Sequence, residues 1–181
     1  MSFNTSFSQL IGLEGKYSND ENDPGNWTGG AVNTGELRGT MYGISAAAYP
    51  KIDIASLSLA KAKGIYLTDF WDALKCDNFP DAVAGALFKE GVNMGVVGAS
   101  KAFQRSLKLI PDGVIGQLTI GIATSSPPLI VLTQFLTECA YEYTQMKQFD
   151  RYGKGWLSRV IKTAVEAQLG AQELTPDAIK G

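Results

Sequence analysis

The chain has 181 residues, enough for one well-packed hydrophobic core or two small lobes. Hydrophobic residues make up 45% of it, charged residues 19%, and the net charge is −2, so we expect a soluble globular protein with no nucleic-acid partner. The absence of histidine excludes Ser-His and Cys-His nucleophilic pairs and histidine-ligated zinc, which leaves carboxylates, Lys, Tyr, Ser and Thr for any chemistry.

The beginning of the chain predicts no export signal. Residues 1–7 lack the basic and apolar regions of a secretory signal peptide. The longest apolar stretch, residues 128–140, is too short to span a bilayer. We therefore expect the protein to be made in the cytoplasm without a signal peptide.

Glu14 lies at the end of the first predicted helix. Apolar residues at helical spacing mark that helix: Phe7, Leu10 and Ile11. Gly12 and Gly15 weaken or end it. Glu14 continues the apolar stripe and lies at the negative end of the helix dipole, and both effects favour the protonated carboxyl, the form that a general acid needs. The alternative from position alone is a solvated glutamate at a fraying helix end.

A polar segment follows, from Ser18 to Gly43, rich in Gly, Asn and Asp. It predicts a long loop or a small irregular hairpin lobe. Asp23 lies in it, nine positions after Glu14, and such a pair of carboxylates is the equipment of glycosidases. A calcium loop is excluded because Pro24 and Ala31 occupy its fifth and twelfth positions, where ligands are needed.

Helical patterning resumes after this lobe and continues to the end of the chain. Apolar residues at helical spacing predict five further helices, led by Leu57, Val83, Ala99, Leu129 and Leu157. Ser56 is the predicted cap of the first of these. Cys76 and Cys139 lie among apolar residues and are predicted to be buried free thiols. The sequence thus predicts a mainly α protein with one polar lobe near its start.

Three segments in this order resemble the N-terminal signature of glycoside hydrolase family 108, the phage and bacterial N-acetylmuramidases. They are Glu14-Gly15-Lys16-Tyr17-Ser18-Asn19-Asp20, Asn22-Asp23-Pro24-Gly25 and Thr40-Met41-Tyr42-Gly43-Ile44-Ser45. Residues 60–74, with Phe70-Trp71, are similar to the family's helix ending in an aromatic-Trp pair. Lys16 departs from the pattern, which has a second glycine there.

The second half of the chain resembles the peptidoglycan-binding region that accompanies this catalytic part. The matching residues are Val92-Asn93-Met94-Gly95, Phe103-Gln104-Arg105, Asp112-Gly113-Val114-Ile115-Gly116 and Gly155-Trp156-Leu157-Ser158-Arg159-Val160. Lys89 is a departure, since the family commonly has Asp there. The resemblance implies a catalytic region over residues 1–88 and a helical binding region packed against it over residues 89–181.

For the fold, the resemblance implies a mainly α, lysozyme-like arrangement with a small loop or β lobe between the first two helices. For the reaction, it implies an endolysin muramidase that hydrolyses the β-1,4 bond between N-acetylmuramic acid and N-acetylglucosamine in peptidoglycan. No metal or organic cofactor is implied. We expect a monomer that reaches the cell wall after release from the host cytoplasm.

The resemblance makes Glu14 the catalytic acid. By analogy with the triad of phage lysozymes, Asp23 and Thr40 would position or activate water, or stabilise positive charge at the anomeric carbon. Thr40 follows an insertion, residues 26–39, so Thr28 is a rival for its role. Thr40 is favoured because Tyr42-Gly43-Ile44 follows it.

Aromatic residues of the polar lobe are candidates for sugar contact. Tyr17 and Tyr42 are predicted to bind substrate, with local packing as the alternative. Trp27 could form a cleft wall, whereas Trp71 shares an apolar stripe and is predicted to be core. Asn93 is a candidate for binding substrate amides, and a buried structural hydrogen bond is the alternative.

Two other functions are compatible with the same residues. A lytic transglycosylase uses a single Glu on the same bond and leaves an anhydro-sugar. A non-catalytic cell-wall-binding protein would carry an inactive Glu14 site.

The last predicted helix is amphipathic and locally basic. Its apolar stripe is Leu157, Val160, Ile161, Ala164 and Val165. Residues 147–162 carry five basic side chains and one acidic side chain, a local charge of five minus one, or +4. Weak contact with anionic lipid or lipopolysaccharide is one interpretation. The other is a closing helix of the binding region with solvated charges.

Overall fold

The computed structural model describes residues 2–12 and 17–172, with side chains to residue 167. Seven α-helices and a two-stranded sheet form the described part of the chain. They are α1 (Phe3–Ile11), β1 (Thr40–Met41), β2 (Ile44–Ser45), α2 (Leu59–Tyr66), α3 (Asp81–Met94), α4 (Val96–Ser106), α5 (Gln117–Ser125), α6 (Pro128–Thr144) and α7 (Phe149–Gln172). The predicted mainly α, lysozyme-like class with a small β element between the first two helices is confirmed.

The chain divides into two compact units. One contains residues 7–67, and the other contains the residues up to 6 and from 68 onward. We call them the sheet unit and the helical unit. The functional division predicted between residues 88 and 89 falls inside α3 and stays a prediction.

Local sequence signals set the helix ends of the sheet unit. α1 ends at Ile11, and the next residue, Gly12, has a φ of 59°, a left-handed conformation that favours glycine. α2 begins after Ser58, whose hydroxyl accepts a hydrogen bond from the Lys61 N–H at 3.2 Å. The predicted cap, Ser56, is therefore wrong by two residues, since its hydroxyl instead donates to Asp53.

The sheet is a tight hairpin. Thr40 pairs with Ser45 and Met41 with Ile44, which leaves Tyr42 and Gly43 as a two-residue loop. Their φ angles are 52° and 76°, as a type I′ turn requires. The Tyr66 hydroxyl donates to the Tyr42 carbonyl and lies 2.6 Å from where a Cβ on Gly43 would be, so a larger side chain at residue 43 would clash. The phenol of Tyr66 is buried, which raises its pKa to about 12.

The helical unit is built around α3, which contacts α4, α6 and α7. Its core is aromatic: the Phe103 ring meets those of Phe79 and Phe135 edge-on, with both centroid distances 5.2 Å. Trp71 is buried against Phe88 at 5.6 Å, as its apolar stripe predicted. Cys76 and Cys139 are buried free thiols, which confirms that prediction too.

The buried face of α7 differs from the predicted stripe. Val160, Thr163 and Ala167 are buried, whereas Ile161 and Val165 are 65% and 52% exposed. The helix therefore packs through residues at positions 160, 163 and 167, and the stripe predicted from apolar residues alone was partly wrong. A threonine belongs to the buried face because helical position, not residue type, decides which side chains meet α3 and α6. None of the helices within residues 2–12 and 17–172 has the length and apolar character needed to cross a bilayer.

Candidate active site

Four predicted site residues lie in the described part of the sheet unit. They are Asp23, Thr40, Tyr17 and Tyr42. Glu14, the predicted general acid, belongs to residues 13–16, outside the described ranges. Asn93 lies in α3, in the helical unit.

Asp23 is exposed and begins a short 3₁₀-helix, Pro24–Asn26. Its Oδ1 accepts a hydrogen bond from the Gly25 N–H at 2.8 Å. This cap fixes the carboxylate on the loop. Oδ2 makes no hydrogen bond to any residue that the structure describes, so that oxygen is available to a water molecule or substrate.

Asn26 connects the Asp23 loop to Thr40. It is fully buried, its Nδ2 donates to the Asp20 carbonyl at 3.0 Å, and its Oδ1 accepts from the Thr40 hydroxyl at 2.7 Å. Both polar atoms of the amide are therefore satisfied, as burial requires. Sequence reasoning missed Asn26, because nothing in the sequence distinguishes it from the other asparagines of the polar segment.

The insertion, residues 26–39, folds back on itself as an irregular hairpin. Trp27 pairs with Leu37, and the Thr28 N–H donates to the Glu36 carbonyl at 2.9 Å. The two ends of the insertion meet where the Gly39 N–H donates to the Asn26 carbonyl at 3.0 Å. The insertion is thus closed at its base, and the chain continues directly into β1.

The two candidate threonines have different surroundings. Thr40 pairs with Ser18 through backbone hydrogen bonds of 2.8 and 2.9 Å, and its half-buried hydroxyl donates to Asn26. The Thr28 hydroxyl instead accepts from the Glu36 N–H at 2.9 Å, inside the insertion hairpin. Both hydroxyls therefore make a structural hydrogen bond, and the two threonines differ in position: Thr40 lies beside Ser18 and Asn26, whereas Thr28 lies inside the insertion hairpin.

Two aromatic residues of this unit, Tyr17 and Trp27, are held by their polar atoms. The Tyr17 hydroxyl donates to the Arg38 carbonyl at 3.2 Å, and its side chain is 40% exposed. Tyr42 is half-buried at the hairpin turn. The indole N–H of Trp27 donates to the Glu21 carbonyl at 2.9 Å, which explains its orientation, while a role as cleft wall stays a prediction.

A comparison with protein families matches residues 7–95 to the family described as Glycosyl hydrolase 108. These residues belong to glycosyl hydrolase family 108. The family predicted from the sequence is thereby confirmed, and the region is that of a glycoside hydrolase. The predicted peptidoglycan-binding role of the second half stays a prediction.

One solved structure, titled "Structure of Brucella abortus SagA", is similar to nearly the whole chain. The similarity covers 93% of this chain and 94% of that one, with a TM-score of 0.78 and 24% sequence identity. At that identity the likeness shows a shared fold. None of the curated proteins matches the sequence.

The glycosyl hydrolase 108 match extends through α3, where Asn93 is half-buried beside Glu90. The Asn93 side chain is near enough to the Glu90 carboxyl to lower its pKa. Its binding of substrate stays a prediction. Within the described residues, no three acidic or Cys side chains are grouped so that they could hold a metal ion.

Glu90 is fully buried in the glycosyl hydrolase 108 region, and the Tyr143 hydroxyl donates to its Oε2 at 2.7 Å. Burial raises the pKa of this carboxyl above its ordinary value of 4.5, and the hydrogen bond from Tyr143 and the charge of Arg159 oppose that rise only in part. Its Oε1 has no hydrogen-bond partner in the described structure. The folded protein therefore favours the protonated acid.

Stability should consequently fall as pH rises above the ordinary pKa of Glu90. The folded state holds this proton, whereas the unfolded state releases it above about pH 4.5. The contribution of Glu90 to the free energy of unfolding is therefore full below that pH and is lost as the pH rises through the raised pKa of the folded state. Glu90→Gln should flatten the decline, as measured by the free energy of unfolding in urea across a pH series. The exposed control Glu21→Gln should follow the wild type, and a Glu90→Gln profile parallel to the wild type would contradict the assignment.

Proposed function

We propose that the protein is a muramidase that hydrolyses the β-1,4 bond between N-acetylmuramic acid and N-acetylglucosamine in bacterial peptidoglycan. The match of residues 7–95 to glycosyl hydrolase 108 carries the proposal. The sequence signature around Glu14 and Asp23 supports it, because two carboxyl groups are the usual equipment for this hydrolysis.

In the proposed reaction Glu14 protonates the glycosidic oxygen of the leaving sugar. Asp23 and Thr40 position the attacking water or stabilise positive charge at the anomeric carbon. The Oδ2 of Asp23, which has no partner among the described residues, and the connection of its loop to Thr40 through Asn26 support this pairing. The closed base of the insertion favours Thr40 over Thr28, since it leaves Thr40 directly beside Ser18.

Asp23→Asn should lower turnover strongly, by about 10²-fold or more if the carboxylate acts on water. Asparagine caps a helix as well as aspartate does, so the 3₁₀-helix should persist and the lost charge should be the only change. Steady-state kinetics on purified cell walls, with thermal melting as the folding check, measure this. An Asp23→Asn enzyme with wild-type turnover would remove Asp23 from the mechanism.

Thr40→Ala should lower turnover more modestly, and Thr40→Ser should restore it because the hydroxyl returns. Thr28→Ala is the matched control: it loses a hydrogen bond within the insertion and should keep wild-type turnover. The same kinetic measurement compares all three variants. If Thr28→Ala is the damaging change and Thr40→Ala is not, the assignment of the threonines is reversed.

The reaction product distinguishes the proposed function from its rivals. Purified peptidoglycan is digested with the protein, and the fragments are analysed by mass spectrometry. Hydrolysis adds water and leaves a reducing end, which is the expected result. An anhydro-sugar end would indicate a lytic transglycosylase, and binding to cell walls without any cleavage would indicate a non-catalytic binding protein.

We further propose that the protein acts as an endolysin, made in the host cytoplasm and released to the cell wall. In this proposal residues 89–181 bind peptidoglycan and the enzyme works as a monomer. Size-exclusion chromatography with light scattering tests the oligomeric state. Lysis of whole cells that occurs only after the inner membrane is permeabilised would support action from the cytoplasmic side, and lysis by added protein alone would oppose it.

A further inference from the structure

A cavity of about 360 Å³ opens in the sheet unit, outside the residues assigned to the chemical step. Its lining consists of one aromatic, two charged and two aliphatic side chains: Tyr17, Leu37, Arg38, Asp53 and Ala55. The volume lies in the range of about 300–1,000 Å³ that is typical of small-ligand sites. It is large enough for a single sugar ring.

The Tyr17 ring packs closely against Gly39. A Cβ added at Gly39 would come within 2.6 Å of the Tyr17 ring, so only glycine permits this contact. The hydroxyl of Tyr17 is fixed by its bond to the Arg38 carbonyl. A ring fixed at one edge and 40% exposed is a ready platform for the apolar face of a sugar.

The guanidinium of Arg38 is held in place and keeps donors for a ligand. Its Nε and Nη2 bond Glu36, and its Nη1 donates to the Pro50 carbonyl at 3.2 Å. These contacts use three of the five N–H groups of an arginine, and the other two have no partner among the described residues. Arg38 is therefore oriented before a ligand binds.

Asp53 supplies the acceptor of the cavity. Its Oδ2 accepts a hydrogen bond from the Ser56 hydroxyl at 2.8 Å, which orients the carboxylate. Its Oδ1 makes no hydrogen bond in the described parts of the chain. The cavity thus combines an oriented donor with an oriented acceptor.

The charged side chains at the cavity favour a neutral ligand over an anionic one. Arg38 is already paired with Glu36, and Asp53 adds a further negative charge at the cavity, so a carboxylate ligand would be repelled. The anionic groups of peptidoglycan, its lactyl and stem-peptide carboxylates, are therefore poor candidates. A neutral ring with hydroxyl donors and acceptors fits, and Leu37 and Ala55 offer apolar contact to an acetamido methyl group.

We propose that this cavity is a subsite for one N-acetylglucosamine residue of the glycan strand. Tyr17 stacks on the sugar ring, Arg38 donates to a hydroxyl or acetamido oxygen, and Asp53 accepts from a hydroxyl. The subsite rests on the proposed function, since it holds the same strand whose bond is cut. Its side chains bind and orient the substrate and take no part in proton transfer.

The test combines binding and kinetics. Chitotetraose, a neutral N-acetylated oligosaccharide, is titrated by calorimetry into the wild type, Tyr17→Ala and Asp53→Ala, and the KM and kcat of each are measured on peptidoglycan. Each substitution should raise Kd and KM at least about tenfold and leave kcat little changed. This is the effect expected from the loss of one or two hydrogen bonds or of a stacked ring. Cellotetraose, which lacks acetamido groups, should bind the wild type more weakly.

Three controls keep the result interpretable. Tyr17→Phe retains the ring but loses the hydrogen bond to Arg38, so its Kd should lie between those of the wild type and Tyr17→Ala. Asp72→Ala removes an exposed carboxylate outside the cavity and should change nothing. Asp53→Asn replaces Asp53→Ala if the latter melts early. A wild type that does not bind chitotetraose, or cavity variants with wild-type Kd and KM, would overturn the subsite, whereas a wild type that cleaves no peptidoglycan would overturn the proposed function itself.

Discussion

Glu14→Gln is expected to reduce cleavage of peptidoglycan by about 10²–10⁴-fold, the usual contribution of a general acid. Glutamine has the size and polarity of glutamate but carries no transferable proton, so the leaving sugar would depart as an alkoxide. Initial rates on purified cell walls measure the effect. Circular dichroism and thermal melting should show an unchanged fold, because the substitution removes only the acidic proton.

A matched control comes from the same polar region. Glu21 is an exposed glutamate in the sheet unit whose backbone carbonyl, not its carboxylate, makes the contact with Trp27. Glu21→Gln should therefore keep wild-type turnover. Wild-type activity in a folded Glu14→Gln protein would remove Glu14 as the acid, and equal losses in both variants would point to a general effect of charge.

Features determined by neighbouring residues could be predicted from the sequence. α1 ends at Ile11, directly before Gly12, the first of the two glycines predicted to weaken or end it, and before Glu14, which was predicted to continue its stripe. The buried position of Trp71 follows from its apolar stripe. The family signature likewise depends on short segments, and it was confirmed over residues 7–95.

Features determined by contacts between residues far apart in the sequence could not be predicted. Lys89 was noted only as a departure from the family pattern, yet it is buried and paired with Glu166, 77 positions later. The Asn26 side chain accepts a hydrogen bond from Thr40, which lies 14 positions later in the sequence. Neither partnership leaves a periodic or local signal, because side-chain pairing across a core depends on the complete packing of the chain.

The buried face of α7 shows the same limit within one helix. Ile161 and Val165 are as apolar as Val160, so hydrophobicity alone could not distinguish the face that packs from the face that does not. The position of Thr163 on the buried face becomes visible only when α3 and α6 are in place. Periodicity predicted the helix correctly, but its orientation required the neighbouring helices.

Deletion of every residue after Gly153 is expected to lower the melting temperature by an amount on the order of 10 °C. It removes the buried Val160 and Ala167, and it removes Trp156, whose ring stacks on Tyr143 at 5.4 Å. It also leaves the buried Lys89 without Glu166. Burial of one large apolar side chain contributes about 1.5–3 kcal/mol, and each kcal/mol shifts the melting temperature of a protein this size by about 2–4 °C.

Substitutions on the exposed face of α7 distinguish its role in closing the helical unit from a role in membrane contact. Lys154 and Lys162 are exposed, so the double substitution Lys154→Gln and Lys162→Gln changes the basic surface and leaves the buried face intact. If α7 only closes the helical unit, this variant should melt like the wild type, and neither protein should bind vesicles containing anionic lipid. If α7 acts on membranes, the wild type should bind such vesicles and the double variant should lose that binding. A truncated protein that melts like the full-length chain would contradict the closing role, because the exposure of the apolar side chains that α7 covers cannot leave stability unchanged.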